Sequence, residues 1–380
     1  MRPSTRTATL RAHMGRLAGT VVLAVASVGV LGISAGAATA ATRPADVPPV
    51  GHVFVINIEN KGYDTTWGPN SAAPYLAQTL RAQGVLLSGY YATAHNSEPN
   101  YIAQISGQGP NPQMQGDCQN YSQFVQTGTA APGQAVGAGC VFPASVPSLP
   151  SQLDAAGLTW RGYMEDMGTP CRHPALNSQD TTQTAKVGDQ YATRHNPFMY
   201  FSAITDSPTC AQHVVDLSQL PTDLASISTT PALSYITPNL CDDGHDSPCV
   251  DGRPGGLATV NTWMQTWVPK ILNSPAYQQD GVLIITADEA DSPQTDSSAC
   301  CSEGPGPNTP LPGITGLGGG RVGALVLSHW TTGGTTSATA YNHYSLLASL
   351  EDIFALPYLG YAQTIGLNKF GRDVYNNGWV

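Results

Sequence analysis

The stretch HVFVINIEN, residues 52–60, decides the fold class of this chain. Seven residues suited to a buried strand, 52–58, end in the polar pair Glu59-Asn60. A short, nearly continuous apolar run bounded by polar residues is typical of a strand that is covered on both faces. Such strands form the parallel sheets of α/β proteins, whose ligands bind beyond the carboxyl ends of the strands.

Three further apolar runs also end in polar clusters. Residues 90–95 lead into Ser97-Glu98-Pro99-Asn100, residues 233–238 lead into the acidic segment 242–246, and residues 283–287 lead into Asp288-Glu289. Because parallel strands end at the same edge of a sheet, we expect these clusters and Glu59-Asn60 to converge on one crevice. Oxygen and imidazole groups gathered in this way indicate a metal-assisted hydrolase.

The rest of the chain alternates strand-like runs with helical patterns, which predicts a three-layer α/β/α fold with a mainly parallel central sheet. We expect strands at residues 52–58, 85–92, 158–164, 233–237, 281–287 and 321–327. We expect helices at residues 72–83, 100–106, 149–156, 258–272 and 342–354. Segments 107–146, 168–219 and 291–320 are rich in Gly, Pro, Ser, Thr, Asn and Gln, and they are interpreted as loop excursions.

Ser97 lies just ahead of Pro99, and proline is favoured in the first turn of a helix. A hydroxyl at a helix start can attack a phosphorus atom whose oxygens are held by backbone amides and a cation. The alternative is that Ser97 is an ordinary helix cap. Asp288-Glu289 has a similar alternative, since adjacent carboxylates at a strand end are often structural.

Composition points to an exported protein. Residues 1–40 combine four arginines, an apolar stretch over 17–33 and the small-residue site Ala38-Thr39-Ala40, which predicts a secretion signal. We expect residues 41–380 to form a single catalytic domain, secreted and without a membrane span. The net charge of -10 argues against a nucleic-acid partner.

Eight cysteines, all after the predicted signal, fit an oxidising compartment and up to four disulfides. Their spacing pairs Cys118 with Cys140 and Cys171 with Cys210 most simply. The partners of Cys241, Cys249, Cys300 and Cys301 stay open. A disulfide at Cys241 or Cys249 would stiffen the loop that carries residues 242–246.

Two Arg-His pairs on the excursion 168–219 are candidates for contact with substrate. They are Arg172-His173 and Arg194-His195, and from these Arg172 and His195 are chosen as substrate-binding residues. Arginine presents a fork of N–H donors that suits phosphate oxygens. The alternative is that these are solvated loop charges.

With those residues in view, the chain resembles the secreted bacterial acid phosphatases of the phosphoesterase family, a branch of the alkaline-phosphatase superfamily that also holds phospholipase C-like enzymes. The matching stretches occur in the family's order: residues 55–60 (VINIEN), 95–103 (HNSEPNYIA), 164–166 (MED), 243–246 (DGHD), 285–289 (ITADE) and 343–347 (HYSLL). The resemblance therefore covers nearly the whole chain after the signal.

The resemblance implies a nucleophile and one or two divalent cations. Ser97 corresponds to the nucleophile, and the cation that binds its oxygen is surrounded by Glu59, Asn60, Asp288 and Glu289. Asn60 has an alternative role, donating its amide to the phosphoryl oxygen. A second cation would be held by Asp242 or Asp243 with His245 and His343. His245 has the alternative role of protonating the leaving oxygen.

The resemblance further implies a secreted acid phosphatase that hydrolyses phosphomonoesters through a phosphoserine intermediate. The partner is then a small phosphorylated substrate or a phospholipid headgroup, including phosphoinositides. Two alternatives stay open: a phospholipase C-like phosphodiesterase on the same fold, and a non-catalytic secreted binding protein that has lost its metal.

Overall fold

The predicted strand at His52–Ile58 lies in the middle of the central sheet, and each of its seven residues is buried. This architecture comes from a computed structural model that describes residues 42–301 and 303–379. The predicted secretion signal at residues 1–40 lies outside the described residues. The described residues belong to one compact unit.

The strands are numbered in chain order. Their bounds are β1 His52–Ile58, β2 Val85–Leu87, β3 Tyr90–Tyr91, β4 Asn120–Tyr121, β5 Val125–Ala130, β6 Gln134–Ala138, β7 Trp160–Met164, β8 Ser178–Gln179, β9 Val214–Asp216, β10 Leu233–Thr237, β11 Gly281–Ala287, β12 Ala324–Ser328, β13 Thr335–Ser337 and β14 Tyr341–Asn342.

The α-helices are numbered in the same way. They are α1 Tyr63–Trp67, α2 Ser97–Ser106, α3 Leu149–Ala156, α4 Ser202–Thr205, α5 Cys210–His213, α6 Leu220–Asp223, α7 Gly256–Leu272, α8 Pro275–Asp280 and α9 His343–Phe354. A π-helix spans Tyr75–Leu80, and short 3₁₀ helices span Arg81–Gln83, Met114–Gly116, Thr193–His195, Pro197–Tyr200, Leu217–Gln219 and Gly360–Gln363.

The central sheet has the strand order β13-β2-β12-β11-β1-β10-β7-β9. Strand β1 pairs in parallel with β10 on one side and β11 on the other, with Val55 opposite Tyr235 and Ile284. Antiparallel pairing occurs where β12 meets β11 and β2. The sheet is therefore mainly parallel within a three-layer α/β/α fold, as predicted, and β10, β1 and β11 end at the same edge.

The helices form two groups. Helices α2, α3 and α9 contact one another, whereas α7 contacts α8 and the π-helix. Helix α2 is held in position by packing on every side, since all ten of its residues are buried. Among residues 42–301 and 303–379, no helix is both long and apolar enough to cross a bilayer.

Several predicted bounds were wrong. The strand expected at 85–92 divides into β2 and β3, because the chain leaves the sheet at Gly89 and β3 pairs with β14 instead. A Cβ atom at Gly89 would lie 2.7 Å from the carbonyl oxygen of Thr339, so glycine permits this close approach. The helix expected at 72–83 is a π-helix followed by a 3₁₀ turn, and the helix expected at 100–106 begins three residues earlier.

Disulfides hold the excursions. The predicted Cys118–Cys140 and Cys171–Cys210 bonds are present. The four cysteines whose partners stayed open form Cys241–Cys249 and Cys300–Cys301. Cys241–Cys249 closes the loop that follows β10, so the acidic segment 242–246 is tethered at both ends.

Candidate active site

Strand β1 and helix α2 bring Glu59 and Ser97 into contact. Glu59 directly follows β1 and is fully buried, and Ser97 is the first residue of α2. Asn96 occupies the cap position, so Ser97 is not the helix cap. Its Oγ instead donates a hydrogen bond of 2.8 Å to Glu59 Oε2. The hydroxyl is therefore held against a buried carboxylate by two separate elements of the fold.

The start of α2 does not present all of its amides to a ligand. The backbone amide of Glu98 donates to Asp117 Oδ1 at 3.0 Å. Asp117 reaches this position with a φ of 51°, in the left-handed region. The sequence suggested that helix-end amides would hold phosphate oxygens, but the carboxylate of Asp117 already occupies this one.

Tyr101 is a site residue that sequence reasoning missed. It lies one helical turn after Ser97, and its hydroxyl donates to Glu59 Oε1. Its ring stacks on the imidazole of His195, with centroids 5.6 Å apart and an interplanar angle of 12°. The spacing of four residues from Ser97 was the available signal, because residues at i and i+4 share a helix face.

His195 joins the loop after β10 to Glu59. Its Nδ1 lies 3.1 Å from Asp243 Oδ2, and its Nε2 lies 3.3 Å from Glu59 Oε2. The backbone also connects the two acidic residues, since the Glu59 amide donates to the Asp243 carbonyl at 2.8 Å. Glu59, His195 and Asp243 each offer a ligand atom within 4.8 Å of the others. The predicted substrate residue His195 is thus buried within the acidic cluster.

Asp288, which follows β11, approaches the same edge. Its Oδ1 accepts the backbone amide of Asn60 at 2.9 Å, and Asn60 turns sharply there with a φ of 53°. Its Oδ2 is buried and has no hydrogen-bond partner among the described residues. A buried carboxylate oxygen without a partner is costly, so this atom is suited to accept a ligand.

Burial raises the pKa of Glu59 and Asp243 well above the usual range, and it raises the pKa of Asp288 as well. Repulsion from Asp288 raises the pKa of the other two carboxyls further. Among the described residues, no lysine or arginine forms an ion pair with these three carboxylates. Close carboxylates remain ionised together only beside a cation, and their oxygens suit a hard or borderline divalent one. We call Glu59, Asp243 and Asp288 the acidic triad.

Lys61 and Arg194 lie near the triad without pairing with it. Lys61 Nζ donates to the carbonyl oxygens of Glu59 and Asn60, each at 3.1 Å. The charge of Arg194 offsets part of the rise that burial causes in the pKa of Asp243. Burial lowers the pKa of His195, and the charge of Arg194 lowers it further. His195 is therefore neutral within the site. Lys61 was also missed, although it directly follows Glu59-Asn60.

The carboxylates of Glu289 and Asp242 have partners outside the triad. The Glu289 carboxylate pairs with His95 Nδ1, while His95 Nε2 lies 2.8 Å from the carbonyl oxygen of Asp296. Asp242 Oδ1 accepts from the Arg253 guanidinium at 2.6 Å. Of the two neighbours that the sequence left as alternatives, the structure brings Asp243 to the triad and pairs Asp242 with an arginine.

His245 lies at the edge of the site. Its Nδ1 is 2.8 Å from Asp246 Oδ1, and its Nε2 is 3.1 Å from the Arg194 guanidinium. The ring centroid is 5.7 Å from that of His195, and about a third of the side chain is exposed (31%). This position is reachable from solvent, in contrast to that of His195.

The structure brings neither His343 nor Arg172 to the carboxylates of the triad. Both ring nitrogens of His343 have protein partners, Nε2 with the Asp288 carbonyl oxygen and Nδ1 with Tyr90 Oη. Burial lowers the pKa of His343 to about 4, so its ring is neutral. Arg172 forms a two-pronged ion pair with Asp189 at 2.8 and 2.7 Å.

Comparison with known proteins places this site in context. The sequence model of the Phosphoesterase family matches residues 69–357. The phosphatidylinositol-3-phosphatase of Mycobacterium tuberculosis is 26% identical over 362 residues, covering 95% of this chain and 93% of that protein. An acid phosphatase of Aspergillus fumigatus is 26% identical over 307 residues, covering 81% of this chain and 55% of that protein. A phosphate-repressible acid phosphatase of Penicillium chrysogenum is 26% identical, covering 74% of this chain and 54% of that protein.

The chain spans little more than half the length of the fungal acid phosphatases that it matches. Among solved structures, a protein in the alkaline phosphatase superfamily from Vibrio parahaemolyticus superimposes with a TM-score of 0.51. That match covers 89% of this chain and 76% of the other at 11% identity, so it establishes the fold alone. The predicted alkaline-phosphatase-like fold is confirmed.

Proposed function

Because this chain belongs to the Phosphoesterase family, we propose that it is a secreted, metal-dependent acid phosphatase that hydrolyses phosphomonoesters through a phosphoserine intermediate. The observation that carries the proposal is the contact of 2.8 Å between Ser97 Oγ and Glu59 Oε2 beside two more buried carboxylates. A serine held in this way has a proton acceptor in contact and an acidic site for a cation next to it.

The residues present fit a divalent cation. The acidic triad supplies carboxylate oxygens, one of them Asp288 Oδ2 without a partner in the described part of the chain, and His195 adds a neutral imidazole. Asn60, whose backbone amide binds Asp288, stays a candidate ligand. Glu289 and His245 also stay candidates, but each would have to exchange a present partner, His95 for Glu289 and Arg194 for His245. A divalent cation in such a site lowers the pKa of a bound hydroxyl and neutralises phosphoryl oxygens.

Ser97 and Glu59 carry the first step. The Ser97 oxygen attacks phosphorus in line with the ester bond, and its proton passes to Glu59 Oε2, the atom to which it already donates. The bond from Ser97 Oγ to phosphorus forms while the bond from phosphorus to the ester oxygen breaks. Water then cleaves the phosphoserine and releases inorganic phosphate, which regenerates the hydroxyl.

The leaving oxygen needs a proton, and His245 is the proposed donor. Its ring is partly exposed and lies next to His195, whereas His195 and His343 are buried and neutral.

The substrate class is a small phosphomonoester or a phosphorylated lipid headgroup. The phosphatidylinositol-3-phosphatase of Mycobacterium tuberculosis matches over nearly the whole of both chains, which supports phosphoinositides within this class. The predicted signal at residues 1–40 and the disulfides of the excursions support secretion.

The test is Ser97→Ala, assayed on p-nitrophenyl phosphate and bis-p-nitrophenyl phosphate across pH. Loss of the nucleophile should lower kcat by at least about 10³-fold. The matched control is Ser106→Ala, because Ser106 is buried in the same helix and its hydroxyl bonds only backbone groups at the far end of that helix, the Ile102 carbonyl and the Gln108 amide. Retention of more than about a tenth of the wild-type rate in Ser97→Ala would contradict the role. A higher kcat/KM for the diester at every pH would favour a phosphodiesterase.

A further inference from the structure

His343, the first residue of α9, has no role in the steps above. It is fully buried, and its helix is capped independently, since Asn342 Oδ1 accepts the amide of Ser345 at 2.8 Å. The imidazole is therefore free of any capping duty. Its contacts lie toward the acidic triad and toward the interior beneath it.

The contacts of the ring fix its tautomer. Nε2 lies 2.6 Å from the carbonyl oxygen of Asp288, and a carbonyl can only accept, so Nε2 carries the hydrogen. Nδ1 then accepts a hydrogen bond from Tyr90 Oη at 3.0 Å. The amide nitrogen of Gln104, 3.3 Å from the same Nδ1, is a second donor. The ring is thus a neutral imidazole that donates to the backbone of Asp288.

A buried polar network continues from this ring to the elements that carry the site. Gln104, on α2, exchanges two amide hydrogen bonds with Asn57 on β1, at 3.1 and 2.9 Å. Tyr235, on β10, donates its hydroxyl to Gln104 Oε1 at 2.8 Å. Helix α2 carries Ser97, β1 leads to Glu59, and β10 leads to Asp243. The network therefore connects all three to Asp288 through His343.

We propose that His343 is a positioning residue, which fixes Asp288 relative to Ser97 and the rest of the triad by donating Nε2–H to the Asp288 carbonyl. The inference rests on the proposed function. The Asp288 carboxylate accepts the Asn60 amide at Oδ1 and has Glu59 and Ser97 as side-chain neighbours, so the position of its Oδ2 among them depends on how its backbone is held. Outer partners that orient a ligand typically change metal affinity by about 10–100-fold when removed.

The competing role for His343 is direct coordination through Nε2. The two roles separate in His343→Gln and His343→Leu, because glutamine keeps an N–H donor for the Asp288 carbonyl but is a poor substitute for an imidazole ligand. Leucine keeps bulk and loses the donor. Tyr90→Phe is the matched control, since Nδ1 retains the Gln104 donor when the hydroxyl is removed.

Two measurements test the proposal, on the mature protein. Competition against a chromophoric chelator gives the Kd for Mn²⁺, and ¹H–¹⁵N spectra of the metal-free protein report the tautomer of His343. We expect an Nε2–H tautomer, a Kd within about threefold of wild type for His343→Gln and Tyr90→Phe, and a Kd raised about 10–100-fold for His343→Leu.

An Nδ1–H tautomer would overturn the positioning role, and so would equal weakening in His343→Gln and His343→Leu. Wild-type affinity in His343→Leu would overturn it as well, even if that variant melts at a lower temperature. The proposed function fails in a different way: wild-type protein that binds none of Mn²⁺, Ca²⁺ and Zn²⁺ would contradict metal dependence itself.

Discussion

Asp242 and Asp243 are neighbours in the chain, yet they lie in opposite electrostatic surroundings. Asp242 pairs with Arg253, which also bonds Asp251, so the protein itself supplies Asp242 with a counter-charge. Asp243 faces the buried Glu59 and Asp288, and among the described residues its side chain pairs with His195 but with no arginine or lysine. The difference teaches that an acidic segment is structural where the protein supplies the counter-charge, and available to a cation where it does not.

Among the carboxylates of the site, the largest effect is expected from removing the unpartnered ligand atom of the triad. Asp288→Asn retains the size of the side chain but loses its negative charge, so the cation should bind far more weakly. We expect kcat/KM to fall by at least about 10²-fold and the bound metal to be lost on dialysis. Elemental analysis of the purified variant checks this, and full metal content with full activity would contradict the site.

Substitution of the neighbouring residues Asp243 and Asp242 gives a matched pair of variants with a smaller expected loss of activity. Asp243→Asn should lower kcat/KM by about 10–100-fold, whereas Asp242→Asn should stay within about threefold. At pH 8 the two substitutions should change the stability of the metal-free protein in opposite directions. Asp243→Asn relieves repulsion and should stabilise by about 1 kcal/mol. Asp242→Asn breaks a partly exposed ion pair and should cost up to about 1 kcal/mol.

Denaturant titration of both variants, with and without a divalent cation, measures these changes. If added cation stabilises the wild type and Asp242→Asn but not Asp243→Asn, then Asp243 and not Asp242 contributes to cation binding. If the two variants lose activity equally, the distinction between them is wrong.

The pH dependence of stability tests the triad without any substitution. Burial raises the pKa of the triad carboxyls in the folded protein, and it raises that of Glu165 to about 8. The folded state therefore binds more protons than the unfolded one above the ordinary carboxyl pKa. Stability of the metal-free protein should fall as pH rises from about 4.5 toward 8, by up to about 1.4 kcal/mol per pH unit for each such carboxyl.

A bound cation should reduce this slope, because it stabilises the ionised triad, whereas Glu165 should contribute unchanged. Melting curves of the protein with and without a divalent cation across this range measure both parts. Equal slopes in the two series would contradict a cation at the triad.

The sequence predicted the fold where burial alone decides the structure. Strands β1, β10 and β11 have the predicted bounds because each is an apolar run that ends in polar residues. Strands β9 and β13 were not predicted, since each has only three residues and pairs at or beside the sheet edge. The break at Gly89 depends on the distant Thr339, which no local pattern reports.

The candidate site was predicted in part for a similar reason. Ser97, Glu59 and Asp288 directly follow strands or open a helix, so their convergence follows from the topology. The choice between Asp242 and Asp243 could not be made, because it depends on Arg253, eleven residues beyond Asp242 on a loop. Tyr101 and Asp117 complete the surroundings of Ser97 through a helical turn and a loop excursion, which only the folded chain brings together.

The Cys241–Cys249 bond has a consequence for how tightly a ligand can be held. The bond closes a short loop, with a sequence separation of 8, and this loop carries both Asp243 and His245. Ordering a free backbone segment costs about 1–2 kcal/mol per residue, and a loop restrained before the ligand arrives avoids much of that loss at the moment of binding. Reduction of this one bond would leave the loop with Asp243 and His245 to be ordered by the ligand as it binds, so oxidation of the two cysteines would itself increase affinity.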